Sequence, residues 1–152
     1  MSTAGDPVCY RPLAATDLPA ALSLWASAEG VELAEGDSEP ELAAYLQRNP
    51  GISYAAFRGG ILAGALLAGH DGRRGFLYHL AVAPAHRGAG IGRELVGRSL
   101  AALTAAKISR VLILVARDNA GGRDFWSKLG WEHLDFAQPM AVDIADRPAG
   151  GA

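Results

Sequence analysis

Residues 82–93 constrain the fold more than any other segment, because an apolar strand and an amphipathic helix meet there across closely spaced glycines. Gly88, Gly90 and Gly92 stand at alternate positions. Glycine takes up positive φ at little cost and lets the backbone approach a ligand closely. The N–H groups at the start of the following helix form an anion site, and we expect the anion to be a pyrophosphate. Two arginines of the segment can add charge-assisted contacts.

The same residues exclude two common phosphate-binding loops. A Walker loop requires Gly-Lys-Ser/Thr, whereas Gly92 is followed by Arg93 and Glu94. A dinucleotide fingerprint requires its third glycine where this chain has Arg93 or Leu95. A glycine-rich turn without a ligand is the remaining alternative.

Apolar periodicity and turn residues predict a mixed α/β sheet around this unit. The expected order is one strand, two helices, three strands, a helix, a strand, a helix and two closing strands. The predicted elements are a strand at 8–11, a helix from Thr16 or Asp17 to about Ala28, a helix at 38–48, a hairpin of 53–58 with 61–70, a strand at 76–82, a helix at 90–107, a strand at 110–115, a helix from Asp118 or Asn119 to Gly130, and two strands between Trp131 and about Ile144. The run 110–115 is apolar throughout, which predicts a central strand covered on both faces.

Length and composition restrict the class of protein. The 152 residues predict one domain, 1–152, with an ordered core of about 7–146 and frayed ends. The net charge of −2 gives no general attraction to nucleic acid or to an anionic membrane. No apolar run approaches the roughly 20 residues of a membrane span. The single cysteine, Cys9, rules out an internal disulfide and a cysteine metal site, so a cytoplasmic protein is the expectation.

The segment Arg87-x-x-Gly90-x-Gly92, preceded by the strand end 80–82, resembles a signature of the GNAT superfamily of N-acetyltransferases. The second signature of that superfamily, an asparagine before a helix that ends in aromatic-x-x-x-Gly-aromatic, has a counterpart at 119–131. That counterpart reads Asn119-Ala120-Gly121-Gly122-Arg123-Asp124-Phe125-Trp126-Ser127-Lys128-Leu129-Gly130-Trp131. The resemblance covers nearly the whole chain. It implies a mixed, mostly antiparallel, seven-stranded sheet flanked by about four helices, and an enzyme that uses acetyl-CoA as the acetyl donor.

The resemblance also implies roles for three groups of residues around the acetyl-CoA. Leu80, Ala81 and Val82 would face the pantetheine arm and thioester, Arg87, Gly88, Ala89, Gly90, Ile91, Gly92 and Arg93 would cradle the pyrophosphate, and Asn119, Phe125, Trp126 and Lys128 would line the pantetheine and adenosine side. The fourth and fifth strands would splay apart near Val82 and Val115 to admit the cofactor. No metal is expected.

The catalytic groups are less defined, because Trp126 stands where many family members have a tyrosine that protonates the CoA thiolate. An indole N–H is not a useful acid, so simple packing is the favoured interpretation of Trp126. The fourth strand has no carboxylate, which leaves His79 and Tyr78 as catalytic candidates, and strand alternation predicts that they point to opposite faces. Imidazole suits removal of an amine proton, but a core histidine with satisfied hydrogen bonds is an equal alternative for His79.

The acceptor is expected to be a primary amine of a small molecule or peptide. Residues 29–41 carry six carboxylates and no basic residue, which could attract a cation or simply face water. Arg73 and Arg74 could instead hold an acceptor carboxylate or phosphate. A non-catalytic acyl-CoA sensor and a protein lysine or N-terminal acetylase remain alternatives. The closing strands near Phe136, with Trp131, could form the contact of a homodimer.

Overall fold

A computed structural model of the chain describes residues 5–146 as a five-stranded mixed sheet with helices on both faces. Parts of the predicted domain and of its frayed ends, residues 1–4 and 147–152, lie outside this range. The strands are β1 (Val8–Pro12), β2 (Tyr54–Arg58), β3 (Ile61–His70), β4 (Gly75–Val82) and β5 (Val111–Leu112), and the α-helices are α1 (Leu18–Ser27), α2 (Glu39–Arg48), α3 (Ile91–Ala105) and α4 (Ala120–Lys128). Short 3₁₀ turns cover Ala15–Asp17, Pro84–His86 and Ile144–Asp146. Every helix in the described range is too short or too polar to cross a membrane.

The sheet follows chain order, β1-β2-β3-β4-β5. The first three pairings are antiparallel. Short turns join β2 to β3, at Gly59-Gly60, and β3 to β4, whereas α1 and α2 lie between β1 and β2. β5 pairs with β4 in parallel after the crossover through α3. The crossover places the N-terminus of α3 directly after the end of β4.

The two faces of the sheet are covered by different helices, and alternation along β3 assigns its residues to them. Leu66 packs in the layer that includes α3, whereas Leu67 packs in the layer that includes α1 and α2. Trp25 of α1 is fully buried, and its Nε1 donates a hydrogen bond to the carbonyl oxygen of Ala65 at 3.4 Å. This indole fixes α1 against the centre of the sheet.

The helix α2 begins as its sequence predicts. The Ser38 side chain accepts a hydrogen bond from the backbone N–H of Glu41 at 3.3 Å, and the Glu41 carboxylate accepts one from the Ser38 N–H. This capping box satisfies N–H groups that have no partner inside the helix. It also fixes the end of the α1–α2 loop, which places Asp37 beside the sheet.

The C-terminal part of the sheet differs from the prediction. The structure shows five strands rather than seven within 5–146, and β5 has two paired residues at the sheet edge instead of a central run. Residues 131–143 form no ladder with β5, so the two predicted closing strands are absent from this part of the chain. Leu114, which the sequence places in a central strand, is 76% exposed. Apolar side chains in this segment also face solvent, namely Phe136, Met140 and Val142.

Candidate active site

The central feature of the site is a β-bulge in β4. Ala65 of β3 lies opposite Ala81, but Leu67 lies opposite Tyr78, so two residues of β4 oppose the single residue between them. One of these two residues is His79, whose φ is +56°. Residues other than glycine rarely adopt this conformation, which costs about 1–3 kcal/mol and often marks a functional position.

The bulge corrects the predicted orientation of the two catalytic candidates. Alternation would send Tyr78 and His79 to opposite faces, yet both line one cavity on the α1–α2 side, with ring centroids 6.3 Å apart. The extra residue delays alternation by one position, so Leu80 and Val82 return to the α3 layer and Ala81 to the α1–α2 layer. The bulge therefore gives the α1–α2 side of the sheet two polar side chains where a regular strand would give one.

His79 is held by a carboxylate from the α1–α2 loop. Its Nε2 lies 2.9 Å from Oδ1 of Asp37, and the two side chains are only 13% and 15% exposed. The imidazole also lies against Trp25, with ring centroids 5.3 Å apart. Nδ1 of His79 makes no hydrogen bond within residues 5–146. The histidine is thus neither a free surface group nor a fully satisfied core residue.

The cavity beside His79 has a volume of about 330 Å³, which is within the usual range for a small-molecule site. Its lining residues are Glu35, Gly36, Asp37, Leu42, Tyr45, Leu67, Tyr78 and His79. A wider depression of about 490 Å³ lies between Glu35 and residues 142–145, but neither β4 nor the glycine loop lines it. The smaller cavity is therefore the candidate acceptor site. Arg73 and Arg74 are not among the residues that line it.

Two phenols of the cavity are held in their neutral form. Burial raises the pKa of Tyr78. Burial, and then the neighbouring Tyr78, raises the pKa of Tyr45, against a smaller opposite effect of Arg48. A neutral phenol can both donate and accept a hydrogen bond. The cavity thus combines two carboxylates, two phenols and an imidazole with apolar walls.

The glycine loop joins the end of β4 to α3. Gly88 and Gly90 have φ values of +82° and +75°, and no atom lies within 4 Å of the position that a Cβ would occupy at either residue. The backbone conformation, rather than lack of space, therefore calls for glycine here, and the loop surface is open. Nε of Arg87 donates a hydrogen bond to the carbonyl oxygen of Val82 at 3.3 Å, which ties the loop to the strand end. The first N–H groups of α3 have no acceptor inside the helix and are available to an anion.

Phe125 of the second signature packs against Gly92 of the first. A Cβ on Gly92 would lie 3.3 Å from the Phe125 ring and 3.8 Å from Val82, so the absence of a side chain lets α4 approach the start of α3. The Trp126 ring packs edge-on between Phe125 and Trp131, with centroid distances of 5.1 and 5.0 Å. The structure thus brings Val82, Gly92 and Phe125 together and places Trp126 in an aromatic cluster.

Other predicted cofactor residues make local contacts. Asn119 accepts a hydrogen bond from the Gly122 N–H at 3.0 Å, which caps α4, and its amide lies against Gly30. Lys128 forms an exposed ion pair with Asp124 at 3.0 Å, one turn away on the same helix. Ala89 and Arg93 are exposed on the loop and the first turn of α3.

The predicted separation of the fourth and fifth strands near Val82 and Val115 stays a prediction, because β5 ends at Leu112 and residues 113–116 form no strand. β4 and β5 pair only at Gly75 with Val111 and at Phe76 with Leu112. From Leu77 onward the β5 side of β4 has no strand partner among the described residues.

Two site residues had no individual signal in the sequence. Asp37 is one of six acidic residues in the segment 29–41, which could also simply face water, and its contact with His79 spans 42 positions. Tyr45 has the spacing of an ordinary residue on the buried side of α2. Within residues 5–146, no group of three or more potential ligand side chains is placed to hold a metal ion.

A family model described as the Acetyltransferase (GNAT) family matches residues 19–131, which is well over half of the chain and includes both signatures. This chain belongs to the GNAT acetyltransferase family. The predictions of family and fold class are thereby confirmed. The family supports an acyltransferase, and GNAT acetyltransferases use acetyl-CoA.

Individual relatives agree with this assignment. An acetyltransferase of Pectobacterium atrosepticum is 31% identical over 121 residues, which are 78% of this chain and 84% of the relative. The crystal structure of Ard1 from Thermoplasma volcanium superimposes with a TM-score of 0.72, 16% identity and 81% coverage of each chain. The PaiA N-acetyltransferase from Thermoplasma acidophilum, solved in complex with coenzyme A, gives a TM-score of 0.69 at 18% identity, covering 81% of this chain and 88% of its own. At these identities the two structures show the GNAT fold alone.

Proposed function

We propose that this GNAT protein transfers the acetyl group of acetyl-CoA to a primary amine of a small molecule or peptide by direct attack on the thioester. The observation that carries the proposal is the bulge in β4. It directs His79 into the cavity on the α1–α2 side, while Leu80 and Val82 belong to the α3 side, where the glycine loop begins. Amine and thioester can therefore meet at one point of the strand.

The donor half of the site fits acetyl-CoA. The loop 87–93 presents backbone N–H groups and two arginines to a pyrophosphate, and its glycines leave the surface open. The unpaired edge of β4 offers backbone groups to a pantetheine arm. Phe125, packed on Gly92, would line the side of the pantetheine arm nearest α4.

The chemistry required of this chain is limited. His79 takes a proton from the acceptor amine, directly or through one water, as the amine nitrogen bonds to the carbonyl carbon and the carbon–sulfur bond breaks. Backbone N–H groups near Val82 stabilise the charge that develops on the carbonyl oxygen. Solvent returns a proton to the CoA thiolate. Orientation of the two substrates supplies much of the remaining rate enhancement.

A second candidate is an acyl-CoA sensor without turnover. One observation favours it: Trp126 occupies the position of the usual acid and packs between two aromatic rings. The two functions are separated by thiol release from acetyl-CoA in the presence of small amines, peptides with free N-termini and lysine peptides. Steady release that depends on an amine supports the transferase, and the amine class that works best distinguishes a small-molecule enzyme from a protein acetylase. Tight binding of CoA without release would support the sensor.

Donor binding is tested separately by thermal unfolding. A ligand that binds only the folded state stabilises it by about 2.7 kcal/mol at 100 times its Kd. Gly90→Glu should abolish the CoA-induced rise in Tm, because it places a side chain and a negative charge in the pyrophosphate site. Gly97→Glu is the matched control, since Gly97 is an exposed glycine of α3 with open space around it. A Tm rise that survives Gly90→Glu would refute the placement of the donor.

A further inference from the structure

Asp37 places a carboxylate beside β4, and the residues of that strand include no carboxylate of their own. Both carboxylate oxygens have partners. Oδ1 lies 2.9 Å from Nε2 of His79, and Oδ2 accepts a hydrogen bond from the Ala34 N–H at 3.0 Å. The Asp37 side chain is thus fixed by its own loop at one oxygen and bonded to the imidazole at the other.

We propose that Asp37 is the positioning residue of the acetyl-transfer reaction: it holds the His79 imidazole as the Nε2–H tautomer, with Nδ1 as the proton acceptor. This inference rests on the proposed function and gives the α1–α2 loop a part in the chemistry. A carboxylate can only accept hydrogen bonds, so the nitrogen that faces it must carry the hydrogen. The other ring nitrogen then keeps its lone pair.

The surroundings of the imidazole support this arrangement. The titratable groups that line the cavity with His79 are Glu35 and Asp37 from the loop, Tyr45 from α2 and Tyr78 from β4. Trp25 of α1 packs on the ring without titrating. The side chains that line the cavity include two carboxylates and no basic group, so Asp37 has no cationic partner there that would compete with the imidazole.

The backbone conformation of His79 is a second observation that supports the role of the Asp37–His79 pair. A φ of +56° is unfavourable for histidine and persists only where the surrounding structure imposes it. The bond to Asp37 and the contact with Trp25 hold the side chain that the bulge directs into the cavity. A base whose own backbone is strained and whose ring is clamped is preorganised for proton transfer.

The reaction balances with these residues. The acceptor amine forms the new nitrogen–carbon bond, and its surplus proton moves to Nδ1 of His79. The Nε2–H stays hydrogen-bonded to Asp37, which remains a carboxylate and stabilises the imidazolium. The carbon–sulfur bond breaks, and the CoA thiolate gains its proton from solvent. The imidazolium then releases its proton to solvent, which restores the starting state.

The test compares three variants of the full chain. Asp37→Ala removes the carboxylate. Asp37→Asn keeps its size, but a carboxamide has one accepting oxygen and cannot accept hydrogen bonds from both Ala34 and His79. Glu32→Gln is the matched control, because Glu32 is an exposed acid of the same loop that does not line the cavity. Each variant is measured for kcat and KM of the amine, the pH dependence of kcat/KM, the Kd of CoA and the ¹⁵N NMR signals of the histidines.

We expect Asp37→Ala to lower kcat by about 10-fold to 10²-fold, with the Kd of CoA unchanged, because misplacement of a reacting group by 1 Å can cost 10²-fold. The pH profile of kcat/KM should also change, because the carboxylate bonded to the imidazole is gone. The wild-type signals should show His79 as the Nε2–H tautomer, and Asp37→Ala should lose that preference. Asp37→Asn should resemble Asp37→Ala, and Glu32→Gln should resemble the wild type.

Three results would overturn the inference. One is an Asp37→Ala enzyme with unchanged kcat and pH profile. Another is a fall in kcat without any change in pH profile or tautomer, which would mean that Asp37 only tethers the loop. The third is a wild-type His79 that carries its hydrogen on Nδ1. Absence of acetyl transfer by the wild-type protein would refute the proposed function instead, and the NMR measurement would distinguish that case because it needs no turnover.

Discussion

The bulge makes an unusual prediction about stability at His79. In a regular strand, a protein with glycine at a given position is less stable than one with alanine by about 0.5–1 kcal/mol, because glycine gives the unfolded chain more conformational freedom. At a φ of +56° the order should reverse, since alanine carries a Cβ in the left-handed region and glycine does not. His79→Gly should therefore unfold at higher temperature or denaturant than His79→Ala, although both lack the imidazole.

The expected difference follows from two opposing contributions. The left-handed conformation costs a residue with a Cβ roughly 1–2 kcal/mol. The entropy of glycine in the unfolded chain returns about 0.5–1 kcal/mol. The balance favours His79→Gly over His79→Ala by about 0.5–1 kcal/mol, which for a chain of this length is a Tm difference of roughly 1–4 °C.

The assay is urea unfolding of both variants, followed by far-UV circular dichroism, with thermal scans as a second measure. Lys107 is the matched control, because it has a φ of +68° directly after α3 and lies far from any proposed chemistry. Lys107→Gly should exceed Lys107→Ala in stability by a similar amount. If Lys107 shows the glycine advantage and His79 shows the ordinary order, the bulge is not formed in solution and the positioning of the imidazole fails with it.

Three further predictions concern separate parts of the molecule. Arg87→Ala should weaken CoA more than it weakens the pantetheine fragment, because the arginine would contact phosphate, and calorimetry with both ligands measures the two losses; equal losses would place the arginine elsewhere. Trp126→Phe should leave kcat nearly unchanged while His79→Ala lowers it by about 10²-fold or more, so steady-state rates of the two variants are compared, and equal losses would give the indole a chemical role. Burial alone would raise the pKa of Asp17, but hydrogen bonds from Arg11 and a backbone N–H outweigh it and hold that pKa below its ordinary value. Such a carboxylate contributes its full stability above an unfolded pKa of about 4 and loses it as the pH falls through the folded pKa. Asp17→Asn should thus cost about 1–3 kcal/mol at pH 7 and progressively less below pH 4 in denaturant titrations, whereas an equal cost at pH 7 and pH 3 would contradict the depressed pKa.

The glycine loop and its flanking elements could be predicted because each has a local cause. Glycines at alternate positions mark the loop, Ser38 with Glu41 marks the start of α2, and Gly59-Gly60 marks the hairpin turn. These signals act within four residues of the chain. They do not depend on which other segments pack nearby.

The residues of the candidate acceptor site could not be predicted in the same way, because the contacts that bring them together join parts of the chain that are distant in sequence. No residue near His79 in the sequence indicates a bulge, and a strict period of two wrongly placed Tyr78 and His79 on opposite faces. The bond from Asp37 depends on where a loop settles after α1 and α2 have packed. The apolar run 110–115 predicts a buried strand, yet only Val111 and Leu112 find partners.

A close contact behind the cavity offers a last prediction about acceptor binding. A Cβ at Gly69 of β3 would meet the Tyr45 hydroxyl and lie 2.7 Å from Cγ of Asn49. Asn49 is buried, and its Oδ1 accepts a hydrogen bond from the His70 N–H at 3.0 Å, so it cannot yield without losing that bond. Gly69→Ala should therefore displace Tyr45 towards the cavity and destabilise the fold by about 1–3 kcal/mol through overpacking. The KM of the amine should rise while the CoA-induced Tm shift is retained, because the glycine loop is untouched. In a Tyr45→Ala background the same substitution should cost less, since one of the two displaced groups is gone. Steady-state kinetics and unfolding of the four proteins in this cycle measure both effects. An unchanged KM in Gly69→Ala, together with the expected loss of stability, would show that the acceptor does not use this wall of the cavity.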